Sequence, residues 1–183
     1  MKLNGRVRRE ATLCRRRSMH QGKMVVRAIS LLGAALALSA SLQAQQPVLY
    51  GGPIPIEKAK LVAAAAVTEA QKNGWLMAVA IVDPSGYLIF FEKMDGTQIG
   101  SIQLSIAKAR SAALFKRPTK VYEDAVAGGG IGLRILKVEG AIPIEGGIPL
   151  VENGKIIGAV GVSGGQSVQD GQCASAAAAI MAK

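Results

Sequence analysis

The side chains best suited to chemistry lie in one positively charged stretch between Asp95 and Glu123. No acidic residue interrupts this stretch, and it contains five cations, which are Lys108, Arg110, Lys116, Arg117 and Lys120. Guanidinium and ammonium groups gathered in this way bind carboxylates, so the stretch is a candidate site for small organic acids. A solvated helix face would show the same composition, and both interpretations remain open at the level of sequence.

Several common chemistries are excluded by residue counts. His20 is the only histidine of the 183 residues, and it lies in the amino-terminal segment. Catalysis by Ser-His-Asp or Cys-His groups and the usual histidine-rich zinc sites are therefore not expected. The glycines at 128–132 complete neither a dinucleotide fingerprint nor a phosphate loop. Acid–base catalysis would have to rely on carboxylates and lysines, and none of these has a diagnostic spacing.

The net charge of +10 does not indicate a nucleic-acid-binding protein. Nine of the 22 basic residues and one of the 12 acidic residues lie in residues 1–27, so the remainder carries a net charge of only +2. Aromatic residues, which stack on bases, make up 4% of the chain. We therefore expect no nucleic-acid partner.

The amino-terminal segment is typical of an export signal. An apolar run of 13 residues, 28–40, follows the basic segment and is too short to span a bilayer, which takes about 20 residues. Ser41 to Ala44 supply a polar stretch that ends in a small residue, so we expect cleavage after Ala44 and a periplasmic or secreted protein. Translation starts either at Met1, with Arg16-Arg17 in a degenerate twin-arginine signal, or at Met24.

The remaining residues, 45–183, are long enough for a single domain with its own core. Cys173 is the only cysteine in this part, so no internal disulfide can form, and we interpret Cys173 as a small buried hydrophobe. Hydrophobic periodicity, turn residues and capping residues predict the order α-ββ-αα-ββ-α, an α+β fold with an antiparallel sheet covered by helices. The predicted elements are helices at about 57–73, 101–115, 118–127 and 167–183, and strands at 76–82, 87–93, 147–152 and 155–163.

Four details of this pattern are predictions in their own right. Asn153-Gly154 predicts a tight hairpin turn. The segment 128–143 is glycine-rich and long for a connection within a domain, which indicates a functional, interfacial or mobile loop. Ser167 to Asp170 resembles a capping box. Gly171, in the first turns of the last helix, should cost that helix about 1 kcal/mol relative to alanine.

A set of motifs in 55–183 resembles a known family. The motifs occur in order along the chain and are Asn73-Gly74-Trp75, Val82-Asp83 with Gly86, Met94-Asp95-Gly96, Lys108-Ala109, Arg117-Pro118-Thr119, the segments 143–150 and 158–165, and Gln169-Asp170. Together they identify the chain as similar to the haem-binding and haem-degrading-type family that includes GlcG, HbpS and the carboxy-terminal part of PduO.

This resemblance implies a five-stranded antiparallel sheet of profilin-like shape and assembly into homo-oligomers. It also implies haem as a cofactor, and a membrane sensor protein as a partner in the relatives that work with two-component systems. In one relative a threonine of the proline-threonine motif has been linked to the haem iron, and that motif corresponds here to Thr119. Other relatives accompany glycolate or propanediol genes without a settled activity.

The candidate haem-binding residues are Thr119, Arg117, Lys120 and Tyr122. Arg117 and Lys120 would bind the propionates, whereas Thr119 is either an iron neighbour or a helix cap. Tyr122 has a side chain that some haem proteins use as an iron ligand, or it packs in the core. Because 45–183 contain no histidine, we expect weak iron ligation by oxygen or water, and we assign no metal site.

We therefore expect an exported, oligomeric haem-binding-type protein with an accessory or sensing role and no catalytic residues. Two other classes remain open. One is a protein or enzyme of a catabolic pathway that binds a small organic acid, and the other is a purely structural oligomer.

Overall fold

A computed structural model describes residues 48–182 of the chain. The expected export signal lies outside the described residues. The described part contains five strands, which are β1 (Leu49–Tyr50), β2 (Ala78–Val82), β3 (Leu88–Lys93), β4 (Gly147–Glu152) and β5 (Lys155–Ser163). It also contains four α-helices, which are α1 (Ile56–Lys72), α2 (Gly100–Phe115), α3 (Lys120–Ala127) and α4 (Ser167–Ala178). A 3-10 segment, Gly130–Lys137, which we call the arm, follows α3, and a 3-10 turn, Ala179–Ala182, follows α4.

The five strands form one sheet centred on β5. Antiparallel β2 pairs along one side of β5, and antiparallel β4 pairs along the other. The outer strand β3 pairs with β2, while the two residues of β1 extend the sheet by pairing in parallel with the start of β5. The predicted α+β order and the helix-flanked sheet of five strands are confirmed.

Helices cover both faces of this sheet. On one face, α1 and α4 pack on Val79, Ile81, Val160 and Val162, which alternate along β2 and β5. On the other face, α2 packs on Ala80, Val82 and Ala159 through its own alanines. All five residues of β2 are buried, as expected of a continuous apolar strand covered from both sides.

Small residues allow α2 to lie very close to the sheet. A Cβ atom added at Gly161 of β5 would overlap the backbone of Ser105 and Ala109 on α2. The alanines at 109, 112 and 113 complete this contact. The close approach brings the polar side chains of α2 within reach of β5 and of the segments that flank β4.

The predicted turns and caps have mixed outcomes. Asn153 and Gly154 both have positive φ angles, of 50° and 72°, as a primed hairpin turn requires. The capping box of α4 exists, but Gln166 and Gln169 form it, so the prediction of Ser167 and Asp170 was wrong. Asp170 does not take part in the capping box, because its carboxylate is buried and forms an ion pair with Lys108.

Candidate functional site

Thr119 lies at the junction between α2 and α3 and is completely buried. Its N–H donates to Gly147 O at 3.0 Å, and its Oγ1 accepts from Gly147 N–H at 2.9 Å. Thr119 is the N-cap residue of α3, as the interpretation as a helix cap expected, but its hydroxyl makes no capping bond to that helix. Instead, Thr119 joins the α2–α3 turn to the start of β4, an interaction that sequence spacing could not indicate.

Lys108 forms a buried ion pair beside this junction. Its Nζ lies 2.7 Å from Asp170 Oδ2, and both side chains are almost fully excluded from solvent. Nζ also donates to Val162 O at 3.1 Å, and Asp170 Oδ1 accepts from Gly165 N–H at 3.0 Å. Burial lowers the pKa of Lys108 and raises the pKa of Asp170, and each partner opposes the shift of the other.

The buried pair corrects the prediction of one cationic patch that included Lys108. Because its ammonium group points into the protein and is bound by Asp170, Lys108 is not available to an external carboxylate. Sequence gave no sign of this arrangement, since the two residues are 62 positions apart and lie on helices of opposite faces of the sheet.

Two glutamates border the buried pair. The N–H of Glu145 donates to Glu123 Oε2 at 2.7 Å, and the Glu145 carboxylate occupies the space that a Cβ atom at Gly171 would need. Burial raises the pKa of Glu145. Gly171 therefore does more than weaken α4, because any side chain there would displace the Glu145 carboxylate.

The other predicted cations point to different parts of the surface. Lys116 lies over the Tyr50 ring, 4.1 Å from its centroid, and donates to Val48 O at 2.9 Å. Lys120 is bound by Asp124, a close hydrogen bond that raises the pKa of the lysine. Arg110 and Arg117 are exposed, and neither makes an ion pair within residues 48–182.

Arg117 and Tyr122 form the local centre of the predicted haem-binding residues. The Arg117 guanidinium carbon lies 5.8 Å from the Tyr122 ring centroid, and Arg117 Nε donates to Phe115 O at 3.1 Å. The Tyr122 ring packs edge-on against Phe115 and is only 7% exposed. Burial raises the pKa of the Tyr122 phenol. The structure thus brings Arg117, Thr119, Lys120 and Tyr122 into one turn, with Thr119 inside the protein.

The arm occupies eight residues within the long glycine-rich segment expected at 128–143. It packs against α3 so closely that a Cβ atom at Gly132 would overlap Ala125 O. None of its eight residues is buried, and the exposed apolar side chains of the arm and its flank are Ile131, Leu133, Leu136 and Val138. The arm therefore packs on α3 and carries an apolar surface that nothing in residues 48–182 covers.

Tyr50 and Tyr87 are surface features that no sequence motif indicated. With Pro53, Pro84 and Leu114 they line an open cleft of about 830 Å³ at the end of α2. Tyr50 Oη donates to the carbonyl oxygens of Ala113 and Leu114, at 3.0 and 2.9 Å. Asp83, also in this cleft, accepts from the Ser85 and Tyr87 N–H groups and so stabilises the β2–β3 turn.

Within residues 48–182, no three histidine, cysteine, aspartate or glutamate side chains gather to hold a metal ion. In the same part of the chain, no helix has the length and apolar character needed to cross a membrane.

Comparisons with known proteins place this geometry in a family. The family model described as "Haem degrading protein HbpS-like" matches residues 54–179. Protein GlcG of Escherichia coli is 42% identical over 127 residues, which cover 69% of this chain and 93% of GlcG. The residues matched by the family model include Thr119, Lys108 and Asp170.

Two solved structures share the fold. Klebsiella pneumoniae protein ORFY has a TM-score of 0.66 and 30% identity, and the match covers 76% of this chain and 95% of ORFY. The structure described as a PduOC:heme complex has a TM-score of 0.63 and 29% identity, covering 70% of this chain and 94% of PduOC. On the evidence of the family match, the relative and the shared fold, the chain belongs to the HbpS-like family.

Proposed function

We propose that this protein binds haem at the α2–α3 turn and acts as an accessory or sensing protein. The observation that carries the proposal is the likeness to PduOC, whose structure is described as a complex with haem. The exposed guanidinium of Arg117 supports it, because a propionate needs a cation.

The side chains of the turn fit the porphyrin better than they fit its iron. Arg117 makes no ion pair within residues 48–182 and can bind a propionate, and Val121 in the first turn of α3 exposes an apolar side chain. In contrast, Thr119 is fully buried with its hydroxyl accepting from Gly147 N–H, and Tyr122 is nearly buried. Bound haem would supply redox chemistry, while this chain would hold the propionates and exclude water from one face.

Hemin titration of residues 45–183 tests the proposal. The described sheet and both core clusters lie entirely within this part of the chain, so it contains a complete domain. We expect saturable uptake at micromolar hemin with a broad, high-spin absorption spectrum, since no histidine is available. Absence of saturable uptake would contradict the proposal.

Charge variants locate the site. Arg117→Ala should weaken hemin binding by about 1–3 kcal/mol, the range for hydrogen bonds to charged groups. Lys120→Ala should have a smaller effect, because Asp124 already binds that ammonium group. Lys72→Ala, on α1, is the matched control and should leave binding unchanged. Equal affinities for all three variants would exclude the α2–α3 turn.

Export from the cytoplasm is part of the proposed role. It is supported by the basic segment, the apolar run 28–40 and the small residue Ala44. Amino-terminal sequencing of protein from the culture medium or periplasm should give Gln45, within about two residues. Soluble protein that retains Met1 or Met24 would contradict export.

Self-association is a further part of the proposed role. The arm is the candidate contact surface, because it is fixed on α3 and presents apolar side chains that nothing in residues 48–182 covers. A second copy of the chain would cover both arms at once if the two arms met about a twofold axis.

A further inference from the structure

A second cleft lies between α2 and the segment that follows the arm. Its volume is about 310 Å³, near the lower end of the range for small-molecule sites. Its α2 wall includes Gln103, Ile106, Arg110 and Leu114, which recur at three- and four-residue spacing along one helix face. Its opposite wall contains Glu139 and Ile142.

The two walls are held in place by polar and steric contacts. Ile142 N–H donates to Ser111 Oγ at 3.1 Å, which attaches the opposite wall to α2. Gly140 has a φ angle of +80°, so the chain can reverse there and return to the helix. The Arg110 stem packs over Gly86 in the β2–β3 turn, with its Cγ 3.5 Å from the position of a Cβ atom there. The cleft is therefore preformed.

Two opposite charges line this cleft without binding one another. Within residues 48–182, neither Arg110 nor Glu139 takes part in an ion pair or a side-chain hydrogen bond. A guanidinium is well suited to bind a carboxylate through two parallel hydrogen bonds, and a glutamate accepts hydrogen bonds from ammonium or hydroxyl groups. The apolar surface between them is supplied by Ile106, Leu114 and Ile142.

We propose that this cleft binds a small aliphatic carboxylic acid that carries an amino or hydroxyl group on its α-carbon. Arg110 binds the carboxylate, Glu139 accepts from the α-substituent, and the Gln103 amide completes the polar contacts. The alkyl group lies on Ile106 and Ile142. This site is separate from the haem proposal, because Arg110 lies on α2 and is not part of the α2–α3 turn.

Calorimetric titration of residues 45–183 with three related acids tests the site. The probes are L-leucine, 2-hydroxy-4-methylpentanoate and 4-methylpentanoate, which differ only at the α-carbon. We expect saturable binding of at least one of the first two, and binding of 4-methylpentanoate that is weaker by about tenfold or more. If L-leucine binds and the hydroxy acid does not, the site requires an ammonium group on the α-carbon. If L-leucine and the hydroxy acid both bind, a hydroxyl group on the α-carbon is sufficient.

Three variants connect the binding to the cleft. Arg110→Gln should weaken binding of every probe by about tenfold or more, and Glu139→Gln should weaken L-leucine more than the hydroxy acid. Lys72→Gln, an exposed cation on α1, is the matched control and should change neither affinity. Unfolding midpoints and hemin binding of Arg110→Gln should equal those of the parent chain, which separates this site from the haem proposal.

Three results would overturn the proposal. The first is that no probe binds saturably at millimolar concentration. The second is an unchanged affinity in Arg110→Gln, and the third is an equal affinity for all three acids.

Discussion

At the scale of single residues, the Thr119 hydroxyl has a structural task that its position in the sequence did not indicate. It accepts the N–H of Gly147 in an environment from which water is excluded. Thr119→Val keeps the shape of the side chain but leaves that N–H without a partner. We expect a loss of about 1–3 kcal/mol in the free energy of unfolding, measured by urea denaturation.

Thr119→Ser is the matched control for this prediction, because it retains the hydroxyl and removes only a methyl group. The serine variant should be more stable than the valine variant. If the two substitutions had the reverse order of stability, the hydrogen bond to Gly147 would not be the main contribution of Thr119.

Cys173 provides a pH-dependent prediction. It is fully buried in the core between α1 and α4, and burial raises the pKa of its thiol to about 11. The folded state therefore retains the thiol proton between pH 9 and 11, whereas the unfolded state loses it. Stability should fall as the pH rises through this window, by about 2 kcal/mol at pH 11.

Melting temperatures of the parent chain and Cys173→Ala measured from pH 8 to pH 11 test this linkage. At pH 8 the melting temperature of Cys173→Ala should be lower than that of the parent chain, because the substitution leaves a cavity. As the pH rises, the melting temperature of the variant should decline less steeply. Parallel curves would show that other groups account for the decline. In the folded parent chain, the thiol should also resist thiol reagents at pH 8.

At the scale of elements, the Lys108–Asp170 pair connects α2 with α4 past the end of β5. Removing one partner leaves the other charge buried, so Lys108→Met or Asp170→Leu alone should cost about 3–5 kcal/mol in unfolding free energy. The double variant Lys108→Met with Asp170→Leu leaves no isolated charge. It should lose much less than the sum of the two single losses.

Urea unfolding of the four proteins completes this double-mutant cycle. Equilibrium measurements give each free energy, and circular dichroism shows whether each variant retains its helices. Additive losses would mean that the two charges do not stabilise one another in the folded state.

At the scale of the whole molecule, the arm determines the expected assembly. Its apolar side chains are accompanied by Arg134 and Lys137, and the adjacent helix α3 carries Asp124. A surface with both charges matches a second copy of itself, since a twofold axis can bring the cations of one protomer to the acids of the other. We therefore expect a homo-oligomer that contains paired arms.

Light scattering of residues 45–183 tests this assembly. The mass should exceed that of one chain and should be the same with and without reductant, because Cys173 is buried. Leu133→Asp with Leu136→Asp should lower the mass, whereas Val168→Asp, an exposed apolar residue of α4, should not. A monomeric parent chain would contradict the prediction.

Sequence alone indicated the four helices and four of the five strands of this protein, but neither β1 nor the arm. Alternating hydrophobic patterns, turn residues such as Asn153-Gly154 and helix-forming runs depend on neighbours a few positions away, so the α-ββ-αα-ββ-α order followed from local physics. The motifs that spread over 55–183 also indicated the family, which the match over residues 54–179 confirmed.

Only the tertiary structure decided what the chemically capable side chains do. Lys108 and Arg110 have the same charge and are two positions apart, yet one is buried against Asp170 and the other is exposed in a cleft. Their difference comes from which face of α2 meets β5, where the glycine and alanine residues let the helix approach closely. Burial and long-range pairing depend on contacts between distant parts of the chain, and so the roles of Lys108, Thr119 and Gly171 could not be found by local reasoning.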